Sequence, residues 1–289
     1  MSLNGNGTHA STIRPLKSGI FAPIPSFFLP ESEDLDILSF ESHVVRVATA
    51  GVGPLLAGSM GEAIHLSHEE RVILIKTARK ALDHVGFLSV SIIAGIGAGS
   101  TRESIDLAQE AAAAGADYAI VITSGYFAGA LAGNKAALKA FFQEVSSKSP
   151  IPVMIYNYPG ASGGINLDSD LITELAIECP NICGVKLTCG DVGKLTRVAA
   201  TVSDPMFSSL YPRTNKNAPF LVLGGFSDFL LPSAYSNGHG AITGLANVAP
   251  DPSFLPEAQR LQGIVGRADA TIAKASISGT KYLLQKLYG

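Results

Sequence analysis

The stretch Cys183-Gly184-Val185-Lys186-Leu187-Thr188 has the make-up of a buried strand with a lysine in its middle. An ion pair is the ordinary reason for such a residue, but no acid lies within the run and Asp191 falls beyond it. Strand alternation puts Gly184, Lys186 and Thr188 on one face and Cys183 on the other. Gly184 leaves room beside the amine. An enclosed ammonium is costly, which favours the neutral amine, and a neutral amine is the nucleophile that forms a Schiff base with a carbonyl. Other polar groups stand at the ends of similar apolar runs: GSMGE at 58–62, TSGYF at 123–127, YNYPG at 156–160 and GGFSD at 224–228.

The elements that must position these groups are short apolar runs alternating with longer helical patterns. The runs are 19–25, 52–58, 88–95, 117–123, 152–157, 183–188, 219–225 and 240–248. Several are apolar throughout, as in strands buried on both faces of a parallel sheet. Helical patterns cover Thr101–Ala114 and Leu167–Glu178, with Asp168 or Ser169 as N-cap of the second and Asp191 opening the helix after CGVKLT. Eight strands with intervening helices over about 230 residues predict a (β/α)8 barrel, with a doubly wound sheet as the alternative. Either fold gathers function at the carboxyl ends of its strands. The expected division is a loose tail over 1–12, the barrel over 13–249 and a two-helix extension over 250–289.

Composition narrows the classes. Of 289 residues 47% are hydrophobic and 16% charged, and the net charge of −3 carries no basic tail. Neither nucleic acid nor an anionic membrane is an expected partner. No apolar run reaches the ~18 residues of a membrane span, and the polar N-terminus has no apolar core of a secretory signal. Three cysteines, Cys179, Cys183 and Cys189, argue against a disulfide framework and for a reducing compartment. The expected location is the cytoplasm. His43, His65 and His68 are too scattered to specify a metal, so solvated or capping roles are expected. In AGIGAGST (94–101) Ser100 replaces the third glycine of a dinucleotide fingerprint, and the run follows the third strand rather than the first.

GSMGE, YNYPG and GVKLT, in this order and spacing, resemble the N-acetylneuraminate lyase/dihydrodipicolinate synthase superfamily. The resemblance runs from about Ile20 to Leu287. It implies a (β/α)8 class I aldolase that forms a Schiff base with pyruvate and needs no cofactor or metal. Lys186 resembles the Schiff-base lysine. Tyr156 resembles the proton-shuttling tyrosine; its alternative is a core aromatic with its hydroxyl on a backbone carbonyl. Ser59 stands where the family has a threonine that hydrogen-bonds this tyrosine. The loop Gly58, Ser59, Met60 and Gly61 resembles the cradle of the pyruvate carboxylate, with amides near a helix start facing the anion. Tyr126 matches a tyrosine that in some members reaches into a neighbouring subunit's site. Thr188, Gly225 and Ile242 match the pocket lining, and Glu62 is read as structural. The resemblance also implies a homo-oligomer, tetramer or dimer.

The departures bear on substrate. Met60 replaces a second threonine found in many relatives. Ala161 replaces the arginine that receives a second carboxylate in dihydrodipicolinate synthases. CGVKLTCGDVGK and GLANV are closer to fungal-type 2-keto-3-deoxy-sugar-acid aldolases and 4-hydroxy-2-oxoglutarate aldolases. The first is the preferred reading, with Thr188, Ser227 and Thr243 as partners for aldehyde hydroxyls and with Lys194 and Arg197 facing away. The alternatives are the second, a condensing enzyme like dihydrodipicolinate synthase, or a sugar-acid-binding barrel without catalysis.

Overall fold

The computed structural model describes residues 14–249 and 255–288. Eight strands form one closed ring: β1 (Gly19–Pro23), β2 (Gly53–Leu56), β3 (Ile93–Gly95), β4 (Tyr118–Ile122), β5 (Val153–Asn157), β6 (Ile182–Leu187), β7 (Leu221–Gly224) and β8 (Gly240–Ile242). All pairings are parallel, and β1 closes on β8 through Gly19↔Gly240, Ile20↔Ala241 and Phe21↔Ile242. Closure excludes the doubly wound sheet and confirms the (β/α)8 barrel. Each strand buries two faces. Phe21, Leu55, Ile93, Ile120, Met154 and Leu223 fill the barrel interior. Ala22, Leu56, Ala94, Val121, Ile155 and Val222 pack outward against the helices. That double burial explains apolar runs without alternation.

The local signals act as their chemistry dictates. The helix Thr101–Ala114 starts at Ser100, whose side chain accepts from Glu103 N, and stops at Gly115 (φ 105°). Asp168 caps Ser169–Glu178, and Asp191 caps Val192–Val202. The glycines of AGIGAGST serve packing: a Cβ on Gly95 would lie 1.9 Å from the Ala57 carbonyl oxygen, and one on Gly97 would lie 2.7 Å from Ile122 Cγ2. Two runs yield much shorter strands than their apolar length suggests. After β8 the chain leaves the sheet in a tight turn at Gly244–Asn247, where the Asn247 amide donates to Pro23 O (3.0 Å) and Gly244 O (3.1 Å). Before β3 only Ile93–Gly95 pairs.

The register of β6 corrects the sequence reading. Val153 pairs with Ile182 but Met154 with Gly184, so β6 carries one residue more than β5 at this point. This bulge resets the alternation. Cys183 lies inside the barrel, Val185 and Leu187 lie outside, and Lys186 is inside again. Cys183 and Lys186 therefore share the interior rather than opposing each other. Gly184 does not make room for the amine. Its φ is +153° and a Cβ there would lie 2.4 Å from the Leu221 carbonyl oxygen, so the space serves β7.

The last helical stretch, Leu255–Tyr288, is broken at Ser276 (φ 57°, ψ −156°) into two pieces. It packs on the turns Ser227–Phe229 and Gly244–Asn247. Lys281 pairs with Glu62 and lies 4.6 Å from the Phe28 ring centroid. Glu62, at φ 54°, opens the turn Ala63–His65, a structural place. The Arg46 guanidinium stacks 4.1 Å from the Tyr288 ring centroid. The tail over 1–12 and the residues 250–254 lie outside the described residues. Among the described residues no helix is long and apolar enough to cross a membrane.

Candidate active site

A cavity of about 250 Å³ opens at the carboxyl ends of the strands. Lys186 and Tyr156 are register partners on β6 and β5. Lys186 is 5% exposed, and its Nζ lies 4.2 Å from the Tyr156 ring centroid. Among the described residues no carboxylate forms an ion pair with it. The ordinary reason for a buried lysine is thus missing, and the amine is left facing the cavity. Tyr158, two residues beyond Tyr156 and also lining the cavity, stacks on it at 5.6 Å and 26°. Burial pushes the Tyr158 phenol above its ordinary range.

Beside the lysine, Thr188 lines the cavity with a buried Oγ1 that has no hydrogen-bond partner among the described residues. Gly225 lies against it: a Cβ there would fall 2.0 Å from Thr188 Oγ1. Ser59, Met60 and Ile242 also line the cavity. Gly58 and Gly61 do not. Their missing side chains serve the loop's own packing, since a Cβ would meet Leu55 Cδ2 at 2.8 Å and Ile24 O at 2.9 Å respectively. Ser59 is exposed and makes no hydrogen bond with Tyr156. Tyr126 stands apart from the cavity, 89% exposed and edge-on to Phe127.

Of the residues expected to meet an aldehyde, only Thr188 lines the cavity; Thr243 and Ser227 are turned to each other, Oγ1 to Oγ 3.3 Å. Ala161 is exposed and outside the lining. Lys194 is buried, its Nζ donating to Asn166 Oδ1 (2.5 Å), and Arg197 donates to Ser169 Oγ (2.9 Å). Neither reaches the cavity. His43 and His68 are spent elsewhere, on Asn247 (3.0 Å) and Glu110 (2.9 Å).

One whole side of the cavity was missed by the sequence reading. Asp269, Ile272, Ala273, Ser276 and Ile277 come from the C-terminal helical stretch and face β5–β8 across the opening. Tyr158 could have been found by counting two along YNY from Tyr156. Asp269 carried one signal, a single acid among small apolar residues in RADATIAKA. Where that acid points depends on how the helix docks.

A parallel eight-strand barrel with an unpaired lysine at the carboxyl end of its sixth strand defines the class: an aldolase-type barrel. The profile of the Dihydrodipicolinate synthetase family matches residues 31–254, and the chain belongs to that family. It is 41% identical to an L-threo-3-deoxy-hexylosonate aldolase of Aspergillus niger, over 95% of this chain and 88% of the relative. It is 42% identical to a protein of Emericella nidulans named for a mitochondrial 4-hydroxy-2-oxoglutarate aldolase, over 96% and 87%. A solved dihydrodipicolinate synthase family protein from Coccidioides immitis superposes with a TM-score of 0.72 at 38% identity, covering 89% of this chain and 78% of that one. The protein is an enzyme, a carbon–carbon lyase of the aldolase type. The cytoplasmic location expected from the sequence is overturned by the mitochondrial relatives. Scarcity of cysteine separates oxidising from reducing compartments but does not choose among the reducing ones.

Proposed function

We propose that the protein reversibly cleaves a 2-keto-3-deoxy sugar acid to pyruvate and an aldehyde such as glyceraldehyde, through a Schiff base on Lys186. The observation that carries this is the buried, unpaired Lys186 amine beside the Tyr156 ring in the barrel mouth. The Lys186 amine adds to the C2 ketone, and loss of water leaves a protonated imine. Tyr156 takes the proton of the C4 hydroxyl, as general base. The C3–C4 electron pair then flows into the imine, the aldehyde departs, and an enamine remains. Protonation at C3 and hydrolysis return the amine and release pyruvate. The C1 carboxylate sits on the Ser59–Met60 side, against backbone amides of the loop.

The relative from Aspergillus niger supports the six-carbon substrate class, and the one from Emericella nidulans supports 4-hydroxy-2-oxoglutarate as the second reading. The exposed Ala161 supplies no cation for a second carboxylate, which favours the sugar acid. The relatives from Emericella nidulans and Coccidioides immitis, both named as mitochondrial, favour a mitochondrial location. A homo-oligomer, dimer or tetramer, is part of this reading, with the exposed Tyr126 as a contact to a neighbouring copy.

Borohydride reduction in the presence of pyruvate tests the core of it. A stable mass increment on the Lys186 peptide is expected, absent in Lys186→Ala. Full-strength labelling of the Ala variant, or of another lysine, refutes the assignment.

A further inference from the structure

The cavity holds a second ionisable group that none of these steps uses. Among the described lining residues Asp269 is the one carboxylate, as Lys186 is the one cation. It is 5% exposed although it sits on a helix with a solvent face. Oδ2 accepts from the backbone N–H of Ser227 (3.2 Å), and Oδ1 lies 3.5 Å from Thr243 Oγ1. The turn after β7 and the end of β8 thereby hold the carboxylate at the mouth. The Ser227 side chain and the Asp228 backbone N–H also bond it, and the carboxylate so held still lines the cavity. Thr188 supplies the second observation: a hydroxyl 7% exposed, lining the same cavity and without a partner among the described residues. Burial raises the proton affinity of Asp269, a cost that packing alone does not require.

We propose that Asp269 is a specificity-determining residue: it accepts a hydroxyl of a neutral polyhydroxylated tail and turns away substrates whose far end is a second carboxylate. The inference rests on the aldolase reading above and refines it. The Schiff-base nitrogen anchors C2 and the loop at Ser59–Met60 takes C1, so the remaining carbons extend to the rest of the lining. A hydroxyl there donates a charge-assisted bond to Asp269. A carboxylate there meets a like charge in a water-poor space, which disfavours binding strongly. Selection then comes from a repulsive element, not only from the missing cation at Ala161.

The test compares kcat/KM for cleavage of a six-carbon 2-keto-3-deoxy acid and of 4-hydroxy-2-oxoglutarate by wild type, Asp269→Asn and Asp269→Ala, with pyruvate trapping on each. Asp269→Asn is expected to lower efficiency on the six-carbon acid by ~10-fold and to raise it on the dicarboxylate by ~5-fold or more. A gain on one substrate cannot come from a damaged fold. Parallel loss on both substrates, or an unchanged ratio, overturns the inference, as does a wild type that prefers the dicarboxylate. If wild type forms no pyruvate adduct, the aldolase reading itself falls and takes the inference with it. If the adduct forms and the ratio does not move, only the role of Asp269 falls.

Discussion

The cavity has two walls of different construction. Tyr156, Lys186 and Thr188 stand on or just past strands of a closed ladder, where each backbone is bonded to neighbours on both sides. Asp269, Ile272, Ala273, Ser276 and Ile277 stand on a helical stretch held by side-chain contacts, among them Lys281–Glu62, Arg46–Tyr288 and the Tyr288 hydroxyl on Val248 O. Placement to a fraction of an ångström matters for bond making, and the ladder provides it. Discrimination between substrates tolerates a looser support. The proposed division of labour follows: the strand wall carries the reaction and the helical wall selects.

That contrast can be broken first at Tyr156. Tyr156→Phe is expected to reduce turnover by ~100-fold, the usual scale for a lost acid–base group, with little change in pyruvate binding. Turnover within a few-fold of wild type in steady-state assays removes the strand wall's claim to the chemistry. A smaller effect probes the support of the helical wall. His43 donates to or accepts from Asn247, which bonds Pro23 O and Gly244 O in the turn under that wall. Burial holds the His43 imidazole down to about 4. The unfolded chain takes up this proton near pH 6.5, the folded chain only near 4. Stability present above pH 6.5 is therefore lost progressively as pH falls toward 4. The loss is on the order of 3 kcal/mol, several degrees in Tm. Thermal melts across this window should show a shallower slope in His43→Gln. An equal slope assigns the acid sensitivity elsewhere.

The smallest expected effect sharpens the contrast at Ser276. Its φ of 57° with ψ of −156° is a region suited to glycine. Ser276→Gly should relieve ~1 kcal/mol of strain and raise Tm by ~2 °C. If the helical wall selects, the substrate ratio should move more than the efficiency of pyruvate trapping. A lowered Tm counts against strain at this position.

What could be read in advance divides along the same two walls. Strand number, the caps Asp168 and Asp191, and the grouping of Lys186 with Tyr156 follow from local rules and short motifs. Asp269 could not be placed that way. A lone acid on a helix reads as solvated until docking turns it inward, and docking is set by contacts such as Lys281–Glu62, 219 positions apart in sequence and set by tertiary packing alone. Ser227 and Thr243 were expected to serve substrate because their types suit it; the structure instead gives them a carboxylate to hold. Ser59 sits in the right loop, yet its hydroxyl is not turned to Tyr156. The bulge in β6 was invisible because alternation assumes an unbroken ladder.

That bulge makes the interior address of Lys186 a matter of parity. Counting from Cys183, an even step along a regular strand would return to the interior, and the lysine lies an odd step away. One surplus residue restores the phase. Straightening the bulge with every residue kept would face the amine toward the outer helices, on the side of Val185 and Leu187; removing the surplus residue would shorten the strand by ~3.3 Å and leave the amine inside without a bulge. A single-residue deletion or insertion between Cys183 and Lys186 thus keeps the amine inside only if the bulge is lost or a second one gained with it, a constraint that a list of allowed amino acids at each position would not contain.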